Sequence, residues 1–110
     1  MARSKFIFVY ITCPKKAVAE KIAKEAVQRK LAACANILPN MQSVYRWQGR
    51  VVLDKEIVLI LKTRNSLFKG LESLVKRMHP YECPCIVALS VTKGSREYLG
   101  WLEAQVFDQS

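Results

Sequence analysis

The chain carries one histidine, His79, and its setting invites chemistry. His79 stands between Met78 and Pro80-Tyr81, where a helical pattern stops. An imidazole at an exposed helix end is a reachable ligand for copper, zinc or nickel. The same position also suits a structural role, in which the ring bonds the last carbonyls of its helix or shapes the turn. A second grouping is Trp47, Glu56, Lys62 and Tyr81, with Glu82 nearby. Glu56 and Lys62 lie an even number of residues apart in one strand pattern, so both point to the same face. A carboxylate, an ammonium and aromatics lining a cleft between subunits would make a small-ligand pocket. The alternative is a structural ion-pair network with the aromatics filling an interface. Lys15-Lys16 put two cations at a helix start, against the macrodipole; a bound anion would resolve that conflict, and plain solvation is the other reading.

The cysteines Cys13, Cys34, Cys83 and Cys85 are four in number. Cys34 sits inside Leu31-Ala-Ala-Cys-Ala-Asn-Ile37, a run that reads as core, and reduced thiols fit a cytoplasmic chain of this size. Cys83-Pro84-Cys85 is too tight for an easy mutual bridge and lacks the Cys-x-x-Cys spacing of a redox or zinc knuckle. There are no paired carboxylates in a catalytic context, no Gly-rich phosphate loop and no Ser-His-Asp grouping, so an enzyme is not expected.

With 110 residues, the chain is long enough for one domain over 1–110 with a single hydrophobic core. Hydrophobic residues at 51% and charged residues at 25% are globular proportions. The apolar runs are far too short for a bilayer span, and the one near the start lacks a small-residue cleavage site after it, which reads as cytoplasmic. A net charge of +9 would favour anionic partners, yet the basic residues are spread along the chain. An aromatic RNP-type motif is absent, so neither a nucleic acid nor a membrane is an expected partner.

The elements that must position these residues can be read in order. Phe6–Ile11 is apolar on both alternations, as in a strand covered on both sides. Ala19, Ile22, Ala23, Ala26 and Val27 form a helical stripe within about Lys15 to Lys30. A long strand follows from Ala32 to Trp47, interrupted near Pro39-Asn40; Gln48-Gly49-Arg50 turns, and a second strand runs from Val51 to Thr63. Asn65 or Ser66 can cap a second helix with Leu67, Leu71, Leu74, Val75 and Met78 on its buried side. Pro80 stops that helix, Ile86–Val91 is a fourth strand, and Ser95 caps a short third helix carrying Leu99, Leu102 and Val106. The order β-α-β-β-α-β-α defines an α+β chain whose first six elements are the split βαβ sandwich of the ferredoxin-like fold, with a long central hairpin. In that fold both main helices cover one face of the sheet. The two central strands here are apolar front and back, so an oligomer is expected to cover the other face.

Several segments resemble signatures of the CutA family: Leu31-Ala-Ala-Cys-Ala-Asn-Ile37, Tyr45-Arg-Trp47-Gln-Gly49, Glu56 ahead of Leu61-Lys62-Thr63, His79-Pro80-Tyr81-Glu82 and Tyr98-Leu-Gly-Trp101-Leu. They occur in order and cover about Phe6 to Val106. The resemblance implies a homotrimer with three sheets packed inward and a role in divalent-cation tolerance, copper being the usual ion. Some members look able to bind copper through a first-strand Cys and a His-His pair before Pro-Tyr. Here the strand position is Ile11 with Cys13 beyond it, and the pair is Met78-His79, so the implied metal set is His79, Met78 and Cys13. A thiol, a thioether and an imidazole suit Cu(I) better than a hard divalent ion, while Met78 also completes its helix's apolar stripe. A trimeric scaffold or small-ligand signalling protein with no physiological metal is the alternative reading.

Overall fold

The computed structural model describes residues 4–107. Strand β1 (Phe6–Cys13) buries Ile7, Val9, Ile11 and Cys13 on one side and leaves Phe6, Phe8, Tyr10 and Thr12 half-covered on the other. It runs two residues beyond Ile11, because pairing with the third strand continues to Cys13↔Ile57. Helix α1 (Lys16–Gln28) buries Ala19, Ile22, Ala23 and Ala26. Val27, expected in that stripe, is 39% exposed, at the edge of the apolar arc. The helix ends before Lys30, which has φ 59. There Leu31 N–H donates to Ala26 O and Lys30 N–H to Val27 O, the double bond of a Schellman cap. The cap explains why the helical pattern stops short of Lys30.

Strands β2 (Cys34–Trp47) and β3 (Arg50–Arg64) form the long hairpin. Trp47 pairs with Arg50 across a two-residue turn whose Gln48 and Gly49 both have positive φ, as a type I′ turn requires. The interruption at Pro39-Asn40 is a register shift between Leu38↔Val58 and Met41↔Glu56, with Asn40 at φ 65. One extra residue is thereby inserted on β2 only.

A 3-10 turn (Asn65–Leu67) leads into α2 (Phe68–Met78), and neither Asn65 nor Ser66 caps that helix with its side chain. Instead the turn closes on itself through Phe68 N–H to Asn65 O, while Asn65 N–H donates to Lys5 O. Strand β4 (Ile86–Val91) and helix α3 (Arg96–Gln105) complete the order. Ser95 caps α3 as expected, its Oγ accepting from Tyr98 N–H at 3.2 Å.

The sheet order is β2-β3-β1-β4, every neighbour antiparallel, which is the ferredoxin-like arrangement expected from the element order. Ile7, Val9, Ile11, Leu59 and Leu61 meet Ile22 and Ala26 of α1 and Leu71, Leu74 and Val75 of α2 in one core. On the other face, register places Tyr10 between Ile60 and Val87, and Phe8 between Lys62 and Leu89. Helix α3 covers only one end of that face, where Leu102 and Val106 pack with Phe6, Leu31, Ala33 and Leu67. Leu38, Val87 and Leu89 remain 47%, 49% and 53% exposed.

Candidate functional site

The chemistry-bearing residues converge where β1 ends, α2 stops and the α2–β4 loop crosses the middle of β3. Pro80 forces His79 out of the helix into extended backbone (φ −87, ψ 135), which turns its ring inward. His79 is buried, Nε2–H donates to the Thr12 carbonyl at 2.7 Å, and Nδ1 accepts from Tyr81 N–H at 3.1 Å. The tautomer follows from the neighbours: an amide N–H only donates and a carbonyl only accepts, so the ring proton sits on Nε2. The Tyr81 ring lies 4.8 Å from the imidazole, centroid to centroid, and its hydroxyl donates to Glu56 Oε2 at 3.3 Å. Thr12, His79, Tyr81 and Glu56 thus form one relay across β1, the loop and β3. Glu56 is a carboxylate only 7% exposed.

The expectation of a reachable imidazole is corrected by this geometry. Both ring nitrogens are engaged, and the helix end is covered because the loop folds back over it. The other two residues of the implied metal set are no more available. Cys13 is wholly buried on the helix side of the sheet, and burial first, then the Glu56 charge, pushes its thiol up to about 11. Met78 packs half-buried against the core. Among the described residues no three His, Cys, Asp or Glu side chains gather in a metal-holding group. As placed, His79, Met78 and Cys13 do not fit a divalent ion, because the nitrogens are occupied and the thiol is protonated.

The second grouping is split. Glu56 and Tyr81 meet, but Lys62 lies six residues along β3 in one direction and Arg50, the partner of Trp47 on β2, six in the other, each about 20 Å at roughly 3.3 Å per residue. Lys62 does share the face of Glu56, yet its ammonium sits 5.1 Å from the Phe8 ring and 5.6 Å from the Tyr98 ring. Trp47, 59% exposed, is at the hairpin tip, and Glu82 is exposed in the loop. A pocket uniting all five would need more than one copy of the chain. At the start of α1, Lys15 and Lys16 are exposed and no side chain caps the helix.

Sequence reasoning missed two features of this region. Cys85 is half-buried within the field of Glu56, and burial, then that charge, raises its thiol. The signal was its position just before an apolar strand. Tyr45 donates to Asp54 at 2.5 Å, and that bond, ahead of other causes, raises its hydroxyl to about 12. Pairing across the hairpin would have found it only once the register was known. Tyr81 is also raised, by burial first and then by the Glu56 charge.

Comparison with known proteins bears on the whole chain. The family model for the CutA1 divalent ion tolerance protein matches residues 7–105. The divalent-cation tolerance protein CutA of Thermus thermophilus is 52% identical over 94 residues, covering 86% of this chain and 91% of that one. The chloroplastic CutA of Arabidopsis thaliana is 47% identical over 97 residues, 88% of this chain and 53% of the plant protein. Among solved structures, the Thermus thermophilus protein superposes with a TM-score of 0.90 at 48% identity, over 93% of this chain and 99% of that one. CutA1 from Oryza sativa gives 0.92 at 40% identity, over 97% and 98%. Fold, motif order and these likenesses agree: the chain belongs to the CutA1 divalent ion tolerance family.

Proposed function

We propose that the chain works as a cytoplasmic homotrimer in divalent-cation tolerance, with copper the first ion to test and no catalytic step of its own. The observation that carries the assembly is the bare sheet face, where Leu38, Val87 and Leu89 surround Phe8, Tyr10 and Ile60. A contiguous apolar face of this kind marks an interface. In such a trimer the Glu56–Tyr81 end of one chain would face a neighbour's long hairpin, which supplies the aromatics that a single copy holds too far away. Metal capture by His79, Met78 and Cys13 requires His79 to give up the Thr12 carbonyl. That exchange costs about 1–3 kcal/mol, so direct binding there is weak.

Light scattering should give three times the chain mass of 12.6 kDa. Calorimetry with Cu(II) on wild type and His79→Ala tests the ion: loss of the heat in the variant supports His79 as a ligand, and an unchanged isotherm removes it. Fractionation tests the location, since relatives carry the descriptions chloroplastic, in Arabidopsis thaliana, and periplasmic, in Archaeoglobus fulgidus. The second reading, a trimeric small-ligand or scaffold protein with no physiological metal, is favoured by the engagement of both His79 nitrogens. A buried Glu56 already bonded to Tyr81 suits an organic ligand with hydrogen-bond donors.

A further inference from the structure

Two free thiols stand one residue apart in the segment between α2 and β4: Cys83 is exposed and Cys85 half-buried. The segment is pinned at both ends. On one side Tyr81 is held by His79 and Glu56; on the other Ile86 is in register with Ile11 of β1. Between the thiols, Pro84 fixes its own φ near −65°; Cys83 lies in a bend, and neither Pro84 nor Cys85 belongs to a strand. Cα atoms on either side of a single proline stand roughly 6–7 Å apart. That is at the far end of what a disulfide accepts, where the ring would be strained. A digonal S–metal–S unit needs sulfurs about 4.6 Å apart, twice a metal–thiolate bond of roughly 2.3 Å, and side-chain rotation supplies that separation.

We propose that Cys83 and Cys85 form a two-coordinate thiolate site for a soft monovalent cation, Cu(I) or its analogue Ag(I). Zinc is the wrong occupant. It takes four ligands, and among the described residues no third His, Cys, Asp or Glu joins the pair. The thiol of Cys13 lies in the core on the helix side of the sheet. Soft thiolate donors with low coordination number select Cu(I). On binding, two thiol protons pass to solvent, two metal–sulfur bonds form, and no electron is transferred. The site uses none of His79, Met78 or Cys13, so it stands or falls separately from the reading above.

The test is an anaerobic titration of the reduced full-length protein with Cu(I) held by a chromophoric competitor. One Cu(I) per chain is expected. Cys83→Ser should weaken binding by about a hundredfold or more, because the second thiol acts at the high effective concentration of a tethered ligand. Cys83→Ser/Cys85→Ser should abolish it, and Cys34→Ser, at a free thiol outside the segment, should leave it unchanged. Cys83 is exposed, so its single variant keeps the fold and carries the test if the double variant does not. Wild-type affinity in Cys83→Ser, loss of Cu(I) in Cys34→Ser, or stoichiometric displacement by Zn(II) would each overturn the assignment.

Discussion

Replacing Leu89 by lysine should break the assembly. Leu89 is 53% exposed on β4, directly across from Phe8 on the bare face. Covering the open half of a leucine is worth about 1 kcal/mol, or about 3 kcal/mol for three symmetric copies. Lysine forfeits that gain and puts an ammonium into the contact, where desolvation costs several kcal/mol per ion even after partial escape toward water. The total is on the order of 10 kcal/mol per trimer, roughly seven decades in the association constant. At low micromolar concentration, light scattering should therefore report 12.6 kDa for Leu89→Lys and three times that mass for wild type. Leu89→Met, which conserves volume, should stay assembled because such exchanges cost less than about 1.5 kcal/mol. A Leu89→Lys protein that keeps the wild-type mass would refute the argument that this face is shared.

Three other outcomes follow from local geometry. Lys30→Gly should stabilise by about 0.5–1 kcal/mol, since φ 59 suits glycine and only backbone groups of Lys30 make the cap; urea midpoints at fixed protein concentration measure it. Thr63→Val should cost about 1–3 kcal/mol by the same assay, because the buried Oγ1–H donates to Leu31 O at 2.7 Å and valine leaves that carbonyl unmet. The Cys13 thiol rises from 9.0 to about 11 on folding, so the folded state holds its proton more tightly. That contribution is whole below pH 9.0 and is lost as pH climbs to about 11, a fall on the order of 3 kcal/mol that Cys13→Ala should lessen in pH-dependent unfolding.

The sheet and its faces were legible because period-2 and period-3.6 patterns report local geometry. Ser95 was legible as a cap for the same reason: its partner is three residues away. What the sequence hid was distance. His79 bonds Thr12, 67 residues earlier in the chain, and no local pattern announces such a partner. Glu56 and Lys62 share a face, as even spacing requires, yet sharing a face is not sharing a place. The second helix begins through a 3-10 turn, a choice decided by Asn65 reaching back to Lys5. Cys85 was passed over because its neighbourhood is assembled from β3 and the loop, far apart in sequence.

The inserted residue near Asn40 bends the long arm without disturbing its pairing. Before it, the even-numbered members of β2 oppose Val58 and Ile60; after it, the odd-numbered ones, Met41 to Trp47, oppose Glu56 to Arg50. Excising Asn40 alone would leave Leu38 opposite Val58 and Met41 opposite Glu56, so Tyr45 and Trp47 would keep their side and only the local bend and added twist would be lost. One residue thus sets the angle at which the projecting arm leaves the sheet, and with it what the arm can reach, while the surface it offers stays the same.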